Sequence, residues 1–511
     1  MNDAADIVII GAGSAGCVMA ARLSEDSGRQ VVLIEAGDES QSMRMRQPNQ
    51  WPLLWDDAEN WGYGTTLQAG LGLRSIPYPR GKALGGTSAI NAMIAMRGDP
   101  QDFDHWRDLG NPGWGWSDVL PYFKRLEDHV LGPSVLHGVG GPLTVSAQSS
   151  PSPITQAFIE AAVASGHRPN GDFNGEHLDG AGLYHLSIRN GERCSTAVAY
   201  LGPAAERSNL RVIQRARVLR IHFEGDRAAG VDIWDGSQLR RIHANQEVIL
   251  SAGAIDTPKL LMLSGVGEPT TLQSHGITVR HDLPAVGMNL CDHTQTPTLF
   301  ALKQPMAAAP TSNLAEGGLF MKRADAVDGF GAHLQFFAFP QLPLTVAANG
   351  KAPAMAICAQ ACRPLSRGSV RLRSADPLDP PLIDPGYLTH RDDLALQIEG
   401  VHMARKIASA QPLAGLLHGE VSPGAHATSD AALGAAIRAT SGSVWHPVGT
   451  CRMGSGTDAV VDAALSVHGL RNLRVVDASV MPQITSANTN LPTIMLAEKA
   501  ADLVCGRFMA R

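Results

Sequence analysis

The chain has 511 residues, 44% of them hydrophobic and 18% charged, with a formal net charge of -6. That length predicts two or more domains, and the balanced, slightly acidic composition of an ordinary globular protein argues against nucleic acid or anionic membrane as a partner. Seven scattered cysteines form no CxxC pair, which argues against a disulfide framework and structural zinc, so no metal is expected.

The first element reads as a strand, a glycine turn and a helix: Asp6-Ile-Val-Ile-Ile-Gly11-Ala-Gly13-Ser14-Ala15-Gly16. A second strand follows, Val31-Val-Leu-Ile-Glu35, ending in an acid nineteen residues past Gly16. The glycines permit a tight turn and close backbone approach, the helix N-terminus offers free N–H groups to a pyrophosphate, and an acid at that spacing bonds ribose hydroxyls. The unit therefore predicts an adenine-dinucleotide site. An acid disfavours the 2′-phosphate of NADP, which leaves NAD and FAD. Ile7 to Leu23 is apolar, but its glycines and the lack of a preceding basic residue fit this fold better than a signal or membrane segment. With no twin-arginine leader at its start, the chain is expected in the cytoplasm, without a transmembrane segment.

Trp51, Trp55, Trp61 and Tyr63 sit in a stretch without helical or strand period, which predicts a loop or extended arm. The run Arg80-Gly81-Lys-Ala-Leu84-Gly85-Gly86-Thr87-Ser88-Ala-Ile90-Asn91-Ala92 puts glycines and small polar residues where a backbone passes close to something flat, a second cofactor contact. It is not a Walker A loop, because alanine follows Gly81-Lys82. Ser117 to Glu127 predicts a helix of about three turns with Ser117 as N-cap and Pro121 in its first turn.

Short strands are expected at Leu210–Gln214, Val218–Phe223, Gly230–Trp234 and Glu247–Leu250, forming a β-meander that returns to the dinucleotide sheet. In Ala252-Gly253-Ala-Ile-Asp-Thr257-Pro258, followed by Gly265, Thr257 is expected to N-cap a helix that Pro258 opens and Gly265 stops. Between about 300 and 440, strand candidates at His333–Phe339 and Gly368–Arg373 predict a second, antiparallel-sheet domain. Met306–Pro310 and Val346–Gly350 read as surface loops, Cys358 and Cys362 as core, and Leu473–Asp477 as a further buried strand.

The last motifs are Trp445-His446-Pro-Val-Gly449-Thr-Cys451, Asp477-Ala478, and Ser486-Ala-Asn488-Thr-Asn490-Leu491-Pro492. With the N-terminal fingerprint and the stretches around 81–91 and 253–267, they make the chain resemble the glucose–methanol–choline (GMC) oxidoreductase family over nearly its whole length. The resemblance implies FAD and oxidation of an alcohol. It implies an α/β fold, with a discontinuous Rossmann-like FAD domain (1–100, 187–300, 441–511) and an α+β substrate domain (101–186, 301–440) carrying a six-stranded antiparallel sheet.

Cofactor contacts carried over by resemblance are Gly11, Gly13, Ser14, Ala15 and Gly16 at the pyrophosphate and Glu35 with Ala36 at the ribose. Arg80, Gly81, Leu84, Gly85, Gly86, Thr87, Ser88, Asn91 and Ala92 lie along the diphosphate and flavin. Val218 meets the adenine, joined by Ala252 and Gly253, and Asp477 with Ala478 lies near the ribityl chain, next to Asn490 and Leu491. Family members with covalent flavin use a histidine just before the Asn91 position; Ile90 stands there, so the FAD is expected to be noncovalent.

Alcohol oxidation by hydride transfer to flavin N5 needs the hydroxyl proton removed, a task for a base with pKa near 7. By the family pattern His446 is that base, Asn490 fills the second catalytic position as a donor to the alkoxide-like oxygen, and Glu316 and Trp445 join them in contacting substrate. Pro492 fits the first turn of a helix whose N-terminus would favour the anionic reduced flavin. The expected substrate is a small primary alcohol of aromatic, furan or polyol type rather than choline, oxidised to an aldehyde, with oxygen or a quinone or dye as electron acceptor. The alternative is a family lyase or decarboxylase that retains FAD without net alcohol oxidation.

Overall fold

A computed structural model describes residues 3–39, 42–305, 309–323, 332–340 and 353–507. Two sheets organise the molecule. In the first, Ala4–Ile10 lies between Val31–Ile34 and the long Leu239–Leu250 strand, parallel to both. All four residues of Val31–Ile34 are buried, as a strand covered on both faces requires. Arg217–Glu224, Arg227–Trp234 and Leu239–Leu250 form the antiparallel meander. Leu210–Ile213 is not part of it: it lies parallel to Val31–Ile34 at the opposite edge of the sheet. The expected Glu247–Leu250 strand is the last third of a twelve-residue strand, whose end also pairs with Leu473–Val475. This sheet therefore gathers segments from the beginning, middle and end of the chain.

The second sheet runs Leu417–Ser422, Thr294–Leu302, Ala354–Ala361, Leu334–Phe339, Gly317–Met321, Gly180–Leu183, all antiparallel, and the two-residue Gly442–Ser443 also pairs with Thr294–Leu302. Strand alternation splits its two faces. Phe336 packs with Ile357, Phe158 and Ile407 under the helices Pro153–Ala164 and Arg391–Ser409. Phe337 and Cys358 point the other way, into a cluster with Trp51, Ile90 and Met93. Ser369–Arg371 forms its own ladder with Leu382–Asp384.

Several local expectations are corrected. Trp51 and Trp55 lie on a 3-10 helix, Pro48–Asp56, rather than in a loop. The helix Trp116–Leu126 is capped by Gly115, whose N–H donates to Asp118, so Ser117 sits inside the first turn. The helix Gly253–Leu263 begins four residues before Thr257. Pro258 cannot donate to the Ala254 carbonyl, and Thr450 Oγ1 donates to that carbonyl instead (2.7 Å), which lets helix and proline coexist. The Ile7–Leu23 stretch is a strand and a helix of the first sheet's βαβ unit, and no helix among the described residues is long and apolar enough to cross a membrane. Met306–Pro310 lies in part, and Val346–Gly350 wholly, outside the described residues.

Candidate active site

One continuous cleft runs from the end of the first parallel strands to the inner face of the antiparallel sheet. At its first end, Gly11 adopts φ +94°, and a Cβ there would stand 2.6 Å from Ser251 O. A Cβ on Gly16 would reach 1.8 Å from Gly11 O, so Gly16 serves helix-to-strand packing and does not line the cleft. The helix Ser14–Leu23 starts from Gly13, which has no side chain to cap it, leaving the N–H groups at Ser14 and Ala15 facing the cleft. A second helix, Asn490–Cys505, opens on the same cleft, also without a side-chain cap, and Ser14 Oγ donates to Asn490 Oδ1 (2.7 Å). Two helix N-termini meeting at one place make a site for an anion.

Glu35 lies beside them, accepting from Ala12 N and Gly37 N (2.8 Å each), and burial pushes its carboxyl up to about 7. Ala36 and Val218 line this end. A Cβ on Gly86 would lie 2.7 Å from Gly13 Cα, so the two glycine loops pass in contact. Arg80, Gly81, Thr87, Asn91 and Ala92 continue the wall. Opposite them stand Ala252, Gly253, Asp477 and Ala478, with Asp477 accepting from Gly253 N (2.9 Å) and Thr257 Oγ1 (2.6 Å). The uncapped helix ends, the touching glycine loops and the buried acid fit an adenine dinucleotide running the length of the cleft. Leu84, Gly85, Ser88 and Leu491 stand one layer behind; Gly85 N, for example, donates to Ala12 O.

His446 faces the far end of the cleft. Its tautomer follows from its neighbours. His293 is fully buried, and its Nε2 meets Cys362 O (2.9 Å), a carbonyl that can only accept. In the neutral ring His293 Nδ1 is then the acceptor, and the nitrogen 2.9 Å from it, His446 Nδ1, must carry the proton. His446 Nε2 is left with its lone pair in the cleft, 3.2 Å from Asn488 Nδ2. Burial first, then His293 and Arg80, hold His446 well below its ordinary value, and burial holds His293 at about 4. The base position therefore carries a neutral imidazole, with a pKa lower than the expected value near 7. The next residue upstream, Trp445, lines the cleft at φ +61°, a left-handed conformation that costs a bulky side chain about 1–2 kcal/mol.

The carboxamide nearest His446 is that of Asn488; Asn490 lines the cleft with its oxygen engaged by Ser14. Glu316 does not reach the cleft. Just ahead of the strand Gly317–Met321, Ala315 lines the cleft while Glu316 accepts from Ser152 N (2.7 Å), Thr155 Oγ1 (2.6 Å) and Ser312 Oγ (2.6 Å) at the start of the helix Pro153–Ala164. Sequence reasoning missed His293, which belongs to no motif and reaches His446 only through strand pairing. It also missed the chamber wall of Trp51, Trp55, Phe337 and Phe339.

A Rossmann-like sheet whose dinucleotide cleft ends at a neutral imidazole under an antiparallel sheet is the framework of a dinucleotide-dependent oxidoreductase. The chain belongs to the GMC oxidoreductase family, whose two sequence profiles, each described as GMC oxidoreductase, match residues 5–295 and 364–497. It is 40% identical to an alcohol dehydrogenase [acceptor] of Pseudomonas putida, covering 98% of this chain and 95% of that one. It is 39% identical to the mitochondrial choline dehydrogenase of Homo sapiens, covering 99% and 90%. Among solved structures it resembles a pyridoxine 4-oxidase from Mesorbium loti, with a TM-score of 0.94 and 35% identity over 99% of this chain and 100% of that one. It is thus an enzyme that uses FAD to oxidise CH–OH donors.

Proposed function

We propose that this enzyme oxidises a small, uncharged primary alcohol on an aromatic or furan ring to the aldehyde, with His446 as the base. The reading rests on the hydrogen-bond chain from Cys362 through His293, which leaves His446 Nε2 unprotonated in an aromatic chamber. His446 Nε2 takes the hydroxyl proton as the alcohol carbon gives up hydride. The amide groups of Asn488 and Asn490 orient the oxygen as it gains negative charge. FAD, when bound, supplies the hydride acceptor. Arg80, Gly81, Thr87, Asn91 and Ala92 with Asp477, Ala478 and Asn490 would hold it noncovalently, since Ile90, Asn91, Ala92 and Met93 along that wall offer no nucleophile for attachment.

The charge around the chamber favours a neutral substrate. Among the described residues that line the cleft, the carboxylates are Glu35, Asp256 and Asp477. Glu35 and Asp477 are held by N–H groups at strand ends, and Asp256 accepts from Tyr63 OH (2.9 Å). Asp256 lies on the Tyr63 and Trp61 side of the cleft, where Tyr63 stacks on Trp61 with centroids 5.8 Å apart. Trp55 and Trp445 pack edge to face, with centroids 4.4 Å apart, and wall the chamber without a counter-ion for a quaternary ammonium.

Anaerobic bleaching of the enzyme-bound flavin by benzyl alcohol, 5-hydroxymethylfurfural, pyridoxine, glycerol and choline tests this. Bleaching by the ring-bearing alcohols supports the reading; bleaching by choline alone, or by none, defeats it. Repeating the assay in air with peroxide detection, and with a quinone, tells oxygen from quinone as the acceptor.

A further inference from the structure

We propose that Asp292 is a positioning residue for the base: its carboxylate organises a bulge formed by Trp445, His446 and Pro447 and so aims His446 into the cleft. The inference rests on the reading of His446 as the base.

The register of two neighbouring segments carries the argument. Gln295 faces Gly442 and Thr294 faces Ser443 in an antiparallel ladder, and Val444 N donates to His293 O (3.1 Å). Pairing resumes where Cys291 and Val448 exchange both backbone hydrogen bonds (3.0 and 2.9 Å). Between these points Asp292 alone faces three residues, Trp445, His446 and Pro447. Extra residues on one strand bulge outward and re-aim a side chain, at the cost of backbone groups left without ladder partners. Pro447 has no N–H to satisfy. The other two N–H groups are met by Asp292, directly and through one hydroxyl. His446 N donates to Asp292 Oδ1 (2.7 Å), while Trp445 N donates to Ser443 Oγ (2.6 Å), which donates onward to Asp292 Oδ2 (2.6 Å).

Two more donors fill the carboxylate. Tyr78 OH (2.6 Å) and Tyr387 OH both reach Oδ2, and all three side chains are buried. Four donors on a carboxylate with about four lone-pair sites leave it no freedom to turn. Left-handed backbone at a bulky residue such as Trp445 persists only where its surroundings over-determine it, and here they do. Arg80 Nη2 donates to Trp445 O (2.6 Å), and Trp445 Nε1 donates to Pro77 O (3.0 Å). Asp292 and His293 thus divide the base between them: one holds its backbone N–H, the other its ring.

The test is a double-mutant cycle in the holoenzyme, read as the rate of anaerobic flavin bleaching by the best alcohol of the panel above. Asp292→Leu keeps no acceptor and is expected to slow bleaching by about 10²-fold or more, within the range a general base is worth. Asp292→Asn keeps an oxygen for His446 N–H and turns its NH2 to hydroxyls able to accept, so it retains about a tenth of the rate or more. In a His446→Ala background Asp292→Leu causes no further loss, because it acts through His446. The inference is overturned if flavin-loaded Asp292→Leu bleaches at the wild-type rate, or if it slows His446→Ala by the same factor as wild type. Should Asp292→Leu fail to hold flavin, Ser443→Ala, which cuts the relay from Trp445 N, is carried through the same cycle with the same expected and contrary results. A His446→Ala enzyme as fast as wild type would refute the base assignment itself, a result recognisable before any Asp292 variant is made.

Discussion

Replacing His293 by leucine removes the lone pair that accepts from His446 Nδ1–H and leaves that donor without its partner. A buried donor without a partner costs about 1–3 kcal/mol, so the tautomer with a bare Nε2 becomes scarcer by about 5- to 150-fold. The bleaching rate should fall by the same factor. That range reaches only the lower end of what a whole general base is worth, about 10²–10⁴-fold, because the imidazole itself remains. His293→Asn supplies an oxygen near the lost nitrogen and should recover most of the loss. Stopped-flow flavin reduction at saturating alcohol measures this directly, with flavin content checked by absorbance. A flavin-loaded His293→Leu enzyme reducing at the wild-type rate would refute the tautomer argument. So would His293→Asn as slow as the leucine variant.

Three further outcomes are expected. The base works when neutral, and its proton affinity lies well below the ordinary 6.5. kcat/KM should therefore be level through neutral pH and fall only in acid, as pH drops through the lowered pKa. Arg80→Gln removes a cation that depresses it and should move that fall to higher pH, read from pH–rate profiles. Glu316→Leu strips acceptors from Ser152 N, Thr155 and Ser312. It should lower stability by about 1–3 kcal/mol per stranded donor in urea unfolding, while KM for the alcohol is unchanged. Gly86→Ala drives a Cβ to 2.7 Å from Gly13 Cα, and the purified protein should carry less flavin by absorbance at normal yield.

The dinucleotide half of the site was legible because its signals are local: Gly11, Gly13 and Glu35 belong to one βαβ unit, and turn, helix start and acid spacing follow from neighbouring residues. The other end depends on which way a side chain turns and on register across distant strands. Glu316 matched a family position, yet it is Ala315 that lines the cleft, while Glu316 is held by Ser152, Thr155 and Ser312. Asp292 and His293 gain their roles from a two-residue slip in pairing with 442–448, which no periodicity announces. At Thr257 a good capping signal was overruled from outside its own segment, since Thr450 supports the helix through Pro258.

The two helix N-termini at the anion end of the cleft begin at Ser14 and Asn490. Ser14 meets Asn490, Arg22 meets Glu498 and Arg29 meets Cys505, each pair 476 residues apart, so the two helices lie side by side in step. During synthesis the first helix emerges early and waits for a partner made hundreds of residues later. A nascent chain therefore lacks one wall of its cofactor site until Asn490–Cys505 has left the ribosome. Both helix N-termini that would face the FAD anion are therefore in place only once Asn490–Cys505 has been made and has docked on Ser14–Leu23.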